Sequence, residues 1–174
     1  MTATQLSLVE QSTATLSPCS RYRYRLGRRW RPGGTVVFVM LNPSTADAVD
    51  TDPTITRCVG FAHRWGHGAI DVVNLFAWRE THPRALAGVE DLVGPDNDAA
   101  IVEATAVADA VVLAWGSLLK LPASVRRLAR ERAAVVRHQL VGRVASHLGL
   151  TADGEPRHPL FVRGDQAPTR WIQP

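Results

Sequence analysis

Cysteine, lysine and long apolar runs are all scarce in this chain, and each scarcity excludes something. There are two cysteines, Cys19 and Cys58, far apart and in unlike contexts. They form neither a disulfide framework nor a CxxC metal site, and they suit a reducing compartment. No apolar run approaches the ~20 residues of a membrane span. The first residues lack the basic start and apolar core of a secretion signal. A cytoplasmic location with no membrane partner is therefore expected. The common chemical fingerprints are missing as well. No P-loop, HExxH or GxSxG occurs, and Gly66-His67-Gly68 precedes an apolar run instead of following one, which is the wrong context for a dinucleotide loop. The histidines are scattered without ligand spacing. Asp47, Asp50 and Asp52 lie close together, but Asp52 reads better as a helix cap, so no metal and no cofactor are expected.

What is present is an ordinary globular composition, 45% hydrophobic and 21% charged over 174 residues, enough for one full core. Lys120 is the single lysine among 20 basic residues, and the other 19 are arginines. A base composition that favours arginine codons gives such a total, so the distribution says more than the count. Arg21, Arg23, Arg25, Arg28, Arg29 and Arg31 follow one another with no acidic residue among them. Acids gather instead at Asp47, Asp50 and Asp52, and again between Glu90 and Asp109. A basic arm on a mixed body suits a polyanion such as nucleic acid.

Residues 1–17 are rich in Ser, Thr and Gln without an apolar period, and a mobile tail is expected there, with residues 18–174 as a single domain. Residues 21–26 alternate strictly. That predicts a half-buried strand with Tyr22, Tyr24 and Leu26 inward and Arg21, Arg23 and Arg25 outward. Gly27 is expected to turn the chain. Val36-Val37-Phe38-Val39-Met40-Leu41 is short and continuously apolar, as in a buried parallel strand. Asp52-Pro53 opens a helix, with Asp as cap and Pro in the first turn. Cys58 falls on its inner face as a small core residue. Further strands are predicted at 70–77 and 110–116. A helix restarts at 94–97. Another spans 122–140, with Val125, Leu128, Val135 and Val136 inward and Arg126, Arg127, Arg130, Arg132 and Arg137 outward. A short strand is expected within 144–150. Strands alternating with helices predict a three-layer α/β/α domain around a mostly parallel, four-stranded sheet.

The chemistry is expected at the strand ends, because open α/β sheets bind ligands beyond the carboxyl ends of their strands. Asn42-Pro43-Ser44-Thr45 follows the first apolar strand, and Pro43 pushes Asn42 towards an extended conformation. Asn74 lies near the end of the second strand, a polar loop follows at 78–82, and His158 sits in the last turn. Asn42, Asn74 and His158 are therefore expected to meet in one cleft. An Asn there can orient a water or bond a base edge, and a His can stabilise an anionic leaving group. Phe61, Phe76 or Trp78 could stack on a base. Each of these aromatics also suits plain core packing, and the Asn-Pro-Ser turn also suits a plain strand-to-helix connection.

The segments Leu41-Asn42-Pro43-Ser44-Thr45-Ala46-Asp47, Asp52-Pro53-Thr54, Val73-Asn74-Leu75-Phe76-Ala77, Ala114-Trp115-Gly116 and His158-Pro159-Leu160 closely resemble the DUF1643 family, bacterial and phage proteins without an assigned function. More distantly, their order resembles the uracil-DNA glycosylase superfamily. That resemblance implies a four-stranded parallel sheet between helices and an N-glycosidic bond hydrolase acting on DNA. It implies that Asn42 orients the hydrolytic water, Asn74 reads the base and His158 stabilises the departing base. The last motif of that superfamily is His-Pro-Ser, and here Leu160 takes the third place. The four cysteines of its iron–sulfur branch are absent.

Two functions follow as expectations. The first is a DNA glycosylase-like enzyme acting on a modified or damaged base. Its catalytic residues would be Asn42 and His158, with Pro43, Ser44, Thr45, Asn74, Phe76 and Trp78 around the base. Arg21, Arg23, Arg25, Arg126 and Arg130 would lie on DNA phosphates. The second is a nucleic-acid or nucleotide binding module on the same fold, in which no bond breaks.

Overall fold

The computed structural model describes residues 11–45 and 52–172. Among the described residues, seven strands and three α-helices follow in the order β1 (Gln11–Leu16), β2 (Arg23–Arg29), β3 (Thr35–Met40), α1 (Pro53–Arg64), β4 (Ala69–Asn74), α2 (Asn97–Ala106), β5 (Ala110–Leu113), α3 (Ala123–Gln139), β6 (Ala145–His147) and β7 (Thr169–Arg170). They form one mixed sheet in the order β1-β2-β4-β3-β5-β6-β7. Strands β4, β3, β5 and β6 run parallel. Strand β2 joins β4 antiparallel, β1 joins β2 antiparallel, and β7 joins β6 antiparallel.

The expected four-stranded sheet is thus corrected to seven strands. The extra ones escaped notice because edge strands carry little apolar signal. Strand β1 has five exposed residues and one half-buried one, Ala14. A strand wet on both faces needs no apolar alternation. The tail expected over 1–17 therefore does not hold for residues 11–16, and residues 1–10 lie outside the described ones. Gly27 does not turn the chain either. It sits inside β2 opposite Thr13, where a Cβ would lie 2.4 Å from the Thr13 hydroxyl oxygen. Its role is close approach between two strands.

The two faces of β3 show why its run is continuously apolar. Val36, Phe38 and Met40 pack with Ile55, Cys58, Phe61 and Ala62 of α1. Val37 and Val39 pack with Ile101 and Ala104 of α2 and with Val125, Ala129, Ala133 and Val136 of α3. Helices cover both faces, so the three-layer expectation holds. Helix α1 begins as its sequence predicts. Asp52 accepts from Thr54 N at 2.7 Å, and Pro53 occupies the first turn.

Helix α3 departs from its pattern. Leu128 and Val135 are exposed, and Arg132 is buried. Its Nε donates to Leu75 O at 2.9 Å, and its Nη2 pairs with Asp98. Charged and apolar residues are mixed on this helix, so periodicity alone does not fix the rotation. The Leu75 carbonyl and Asp98 select Arg132 as the inward cation, because a buried acceptor needs a donor.

Burial also separates the two thiols. Cys58 is fully enclosed on α1, and desolvation pushes its thiol far above the ordinary range. Cys19 is exposed, and a hydrogen bond with Ser17 lowers its thiol. An aromatic disulfide reagent is expected to label one thiol, Cys19, in the native protein and both after denaturation. Rapid native labelling of Cys58 would contradict this core placement.

Candidate active site

A cleft of about 460 Å³ opens beyond the carboxyl ends of the parallel strands. That volume lies in the range of small-molecule sites, roughly 300–1,000 Å³. Each wall comes from a different strand end. Asn42, Pro43 and Ser44 follow β3, Asn74 ends β4, Gly116 follows β5, and His158 comes after β6. Register explains the first pair, since Met40 and Asn74 are partners across β3 and β4. Asn42, Asn74 and His158 thus share one cleft, as their positions predicted.

The Asn42 amide is held in one orientation. Its Nδ2 donates to Glu80 O at 2.7 Å and to Pro43 O at 3.1 Å. Both amide hydrogens are thereby committed, and two carbonyl acceptors require nitrogen at that corner. The acceptor Oδ1 is what Asn42 can offer a ligand. The loop carrying it is pinned from outside. Glu80 N donates to Pro43 O at 2.9 Å, and Arg79 Nη2 donates to Thr45 O at 2.6 Å. Ser44 Oγ donates to Asp52 Oδ2 at 3.1 Å, which ties the loop to the helix cap. Asn74 is 3% exposed and its strand end is braced from behind. The fully buried Asn97 donates to Asn74 O at 3.0 Å and to Leu75 O at 3.2 Å.

His158 owes its place to Gly116. Gly116 has φ +83°, a backbone that L side chains rarely adopt, and a Cβ there would lie 3.2 Å from the His158 Cβ. Gly116 N also donates to Pro156 O at 2.8 Å. His158 Nδ1 accepts from Leu160 N at 3.3 Å. In the neutral ring the proton therefore sits on Nε2, which makes that nitrogen a donor. Burial pushes the imidazole below its ordinary 6.5, with the Asp52 charge opposing. The folded state thus takes up its proton at lower pH than the unfolded chain does. The stability this confers is complete above about pH 6.5 and is lost as pH falls through the lower folded value. Wild-type protein is expected to lose more stability than His158→Gln between pH 7.5 and 5.5. Denaturant titrations of both proteins check the difference, and imidazole NMR checks the tautomer.

Other expectations need correction. Phe76 is fully buried among the residues packed beneath α2 and α3, and it does not line the cleft. Its neighbour Leu75 faces that same layer, because the chain bends just beyond the end of β4. Trp78 packs edge-on against Tyr22 at 5.5 Å, away from the cleft. Thr45 is turned outward and bonds Thr81 Oγ1 at 3.0 Å. Arg23 is not on the outer surface. It is 5% exposed and lines the cleft, because strand alternation breaks at Tyr24. Arg25 pairs with Asp71 on the opposite face of the sheet. Arg126 donates to the carbonyls of Leu119 and Leu121, so it stabilises the turn before α3. Arg21 and Arg130 are exposed.

Sequence reasoning missed two cations of the cleft, Lys120 and Arg157, and assigned a third, Arg23, to the outer surface. The lone lysine was the available signal, in an arginine-rich chain just after Trp115-Gly116. Asp52 and Glu80 also line the cleft. Among the described residues no group of three or more His, Cys, Asp or Glu side chains is arranged to hold a metal. Asp47 and Asp50 lie outside them. No helix among the described residues is long and apolar enough to cross a membrane.

A family model described as a protein of unknown function, DUF1643, matches residues 23–160. The chain belongs to the DUF1643 family. Every residue singled out around the cleft, from Arg23 to His158, falls within the span matched to DUF1643. No curated protein and no solved structure matches the chain significantly.

Proposed function

We propose that this DUF1643 protein hydrolyses the N-glycosidic bond of a modified or damaged base in DNA. The observation that carries this reading is the oriented pair in one cleft, an Asn42 acceptor and a neutral His158 with its proton on Nε2. The Asn42 Oδ1 accepts from a water and aims its oxygen at the sugar carbon. The water oxygen bonds that carbon while the bond to the base nitrogen breaks with its electron pair. The Nε2–H of His158 stabilises the charge developing on the departing base. The water proton ends on solvent or on the released base. Taking the base out of the stack costs a few kcal/mol, least for a damaged or mismatched one. The exposed cations Lys120 and Arg157 suit the phosphates flanking it.

A second reading is a base-binding module without hydrolysis. One observation favours it. The carboxylates of Asp52 and Glu80 already accept hydrogen bonds within their loops, so neither is set aside as a general base. The test is incision of labelled oligonucleotides, each with one altered base (uracil, a mismatched thymine, hydroxymethyluracil, hypoxanthine), followed by hot alkali. Cleavage at one base supports the hydrolase. Salt-sensitive binding with no cleavage across the panel favours the module.

A further inference from the structure

Lysine is the basic residue this chain avoids, and the one it keeps lies in the cleft. Lys120 ends the short turn Leu118–Lys120, which follows Gly116 beyond β5, and it lines the cleft with Asn42 and His158. That turn is fixed from several sides. Leu118 N donates to Asp153 Oδ2 at 3.0 Å. Arg126 Nη2 donates to the carbonyls on either side of the lysine, Leu119 O at 2.9 Å and Leu121 O at 3.0 Å. The Lys120 side chain is exposed, and its Nζ lies 5.1 Å from the centroid of the Phe161 ring. The His158 ring lies 5.8 Å from that same ring, so the amine and the imidazole share a neighbour.

Charge alone does not account for this residue. An arginine holds a phosphate through a fork of donors, and arginine fills the other 19 of the 20 Lys and Arg positions. What lysine adds is an amine able to form an imine with a carbonyl carbon, which a permanently charged guanidinium does not do. Release of a base from deoxyribose leaves a hydroxyl on C1′, and the opened form of that sugar is an aldehyde.

We infer that Lys120 is the nucleophile of a second activity in this cleft, cleavage of the DNA strand at an abasic sugar. This rests on the proposed seating of a DNA sugar in the cleft, and not on hydrolysis of the base. The Nζ lone pair adds to C1′, and the C1′ oxygen leaves as water, which gives an iminium. The iminium draws electrons from C2′, whose proton passes to solvent. The electron pair left behind forms the C2′–C3′ double bond, and the 3′ phosphate departs with the C3′–O pair. Water then hydrolyses the imine and frees the lysine. No oxidant or reductant enters the sequence.

The probe is a labelled oligonucleotide with a preformed abasic site, so no base need be excised. One sample receives sodium borohydride, which reduces an imine to a stable amine bond. A parallel sample without it is read for strand cleavage before any alkali. Wild-type protein is expected to give a covalent protein–DNA adduct and a nicked strand, and peptide mass spectrometry is expected to map the adduct to Lys120. Lys120→Arg keeps the cation and loses the amine, so both signals should fall to background. Should that variant fail to fold, the mapped position in wild type decides. An intact strand, no adduct, or an adduct on another residue overturns the inference, as does undiminished trapping by Lys120→Arg. Adduct and nicking without excision of any altered base sustain the inference and remove only the hydrolase. Excision without an adduct removes only the inference, and the absence of both overturns both.

Discussion

Asn42→Ala is expected to lower base excision by about 10²–10³-fold while DNA affinity stays within about threefold. The size follows from the loss of one oriented acceptor, since misplacing a reacting water by ~1 Å costs on the order of 10²-fold, and removing an oriented dipole costs a similar factor. Binding is spared because Lys120 and Arg157 lie on other loops of the cleft. The substitution also removes the bonds from Nδ2 to Glu80 O and Pro43 O. Some stability is lost with them, on the order of 1 kcal/mol for each hydrogen bond. A thermal melt beside the incision assay separates the two effects. The loop keeps its other ties, through Glu80 N, Arg79 and the Ser44 to Asp52 bond. An Asn42→Ala protein that melts normally and still cleaves at the wild-type rate would sink the hydrolase mechanism as drawn.

Gly116→Ala is expected to destabilise the fold by about 1–3 kcal/mol and to displace His158. Its backbone at φ +83° costs an L residue roughly 1–2 kcal/mol. The new Cβ would also press on His158 at 3.2 Å, tighter than normal packing allows. The ring can relieve the contact only by moving with the turn that follows it. Denaturant unfolding gives the stability change, and the chemical shift of the His158 ring reports the movement. Ala at this site with unchanged stability and an unmoved His158 would show that the close approach is not needed. A further comparison with His158→Gln shows whether lost excision follows the moved ring or the general loss of stability.

Continuously apolar strands made the centre of the fold legible. The run 36–41 reads as a buried strand, and Asp52-Pro53 reads as the start of a helix. The convergence of Asn42, Asn74 and His158 followed from where parallel strands end. The errors share one cause, which is that local pattern does not carry tertiary demand. Strand β1 has no apolar face to announce it. Arg132 looks like one more solvent-facing arginine until Leu75 O and Asp98 claim it. Arg23 looks outward-facing because strict alternation cannot foresee an extra residue at Tyr24. Phe76 and Trp78 stand where a strand ends, a position that suits a base site, but packing claims both.

The four walls of the cleft come from four successive strand ends, separated along the chain by α1, by α2 and by α3. No contiguous piece of the polypeptide holds more than one or two of them. The site is therefore a property of the completed sheet, and it can appear only after strands remote in sequence have paired. Pairing of remote strands is the slow part of folding. Ligand binding would thus report the last event of assembly, well after helical content has returned, and partly assembled molecules would carry helices without a site.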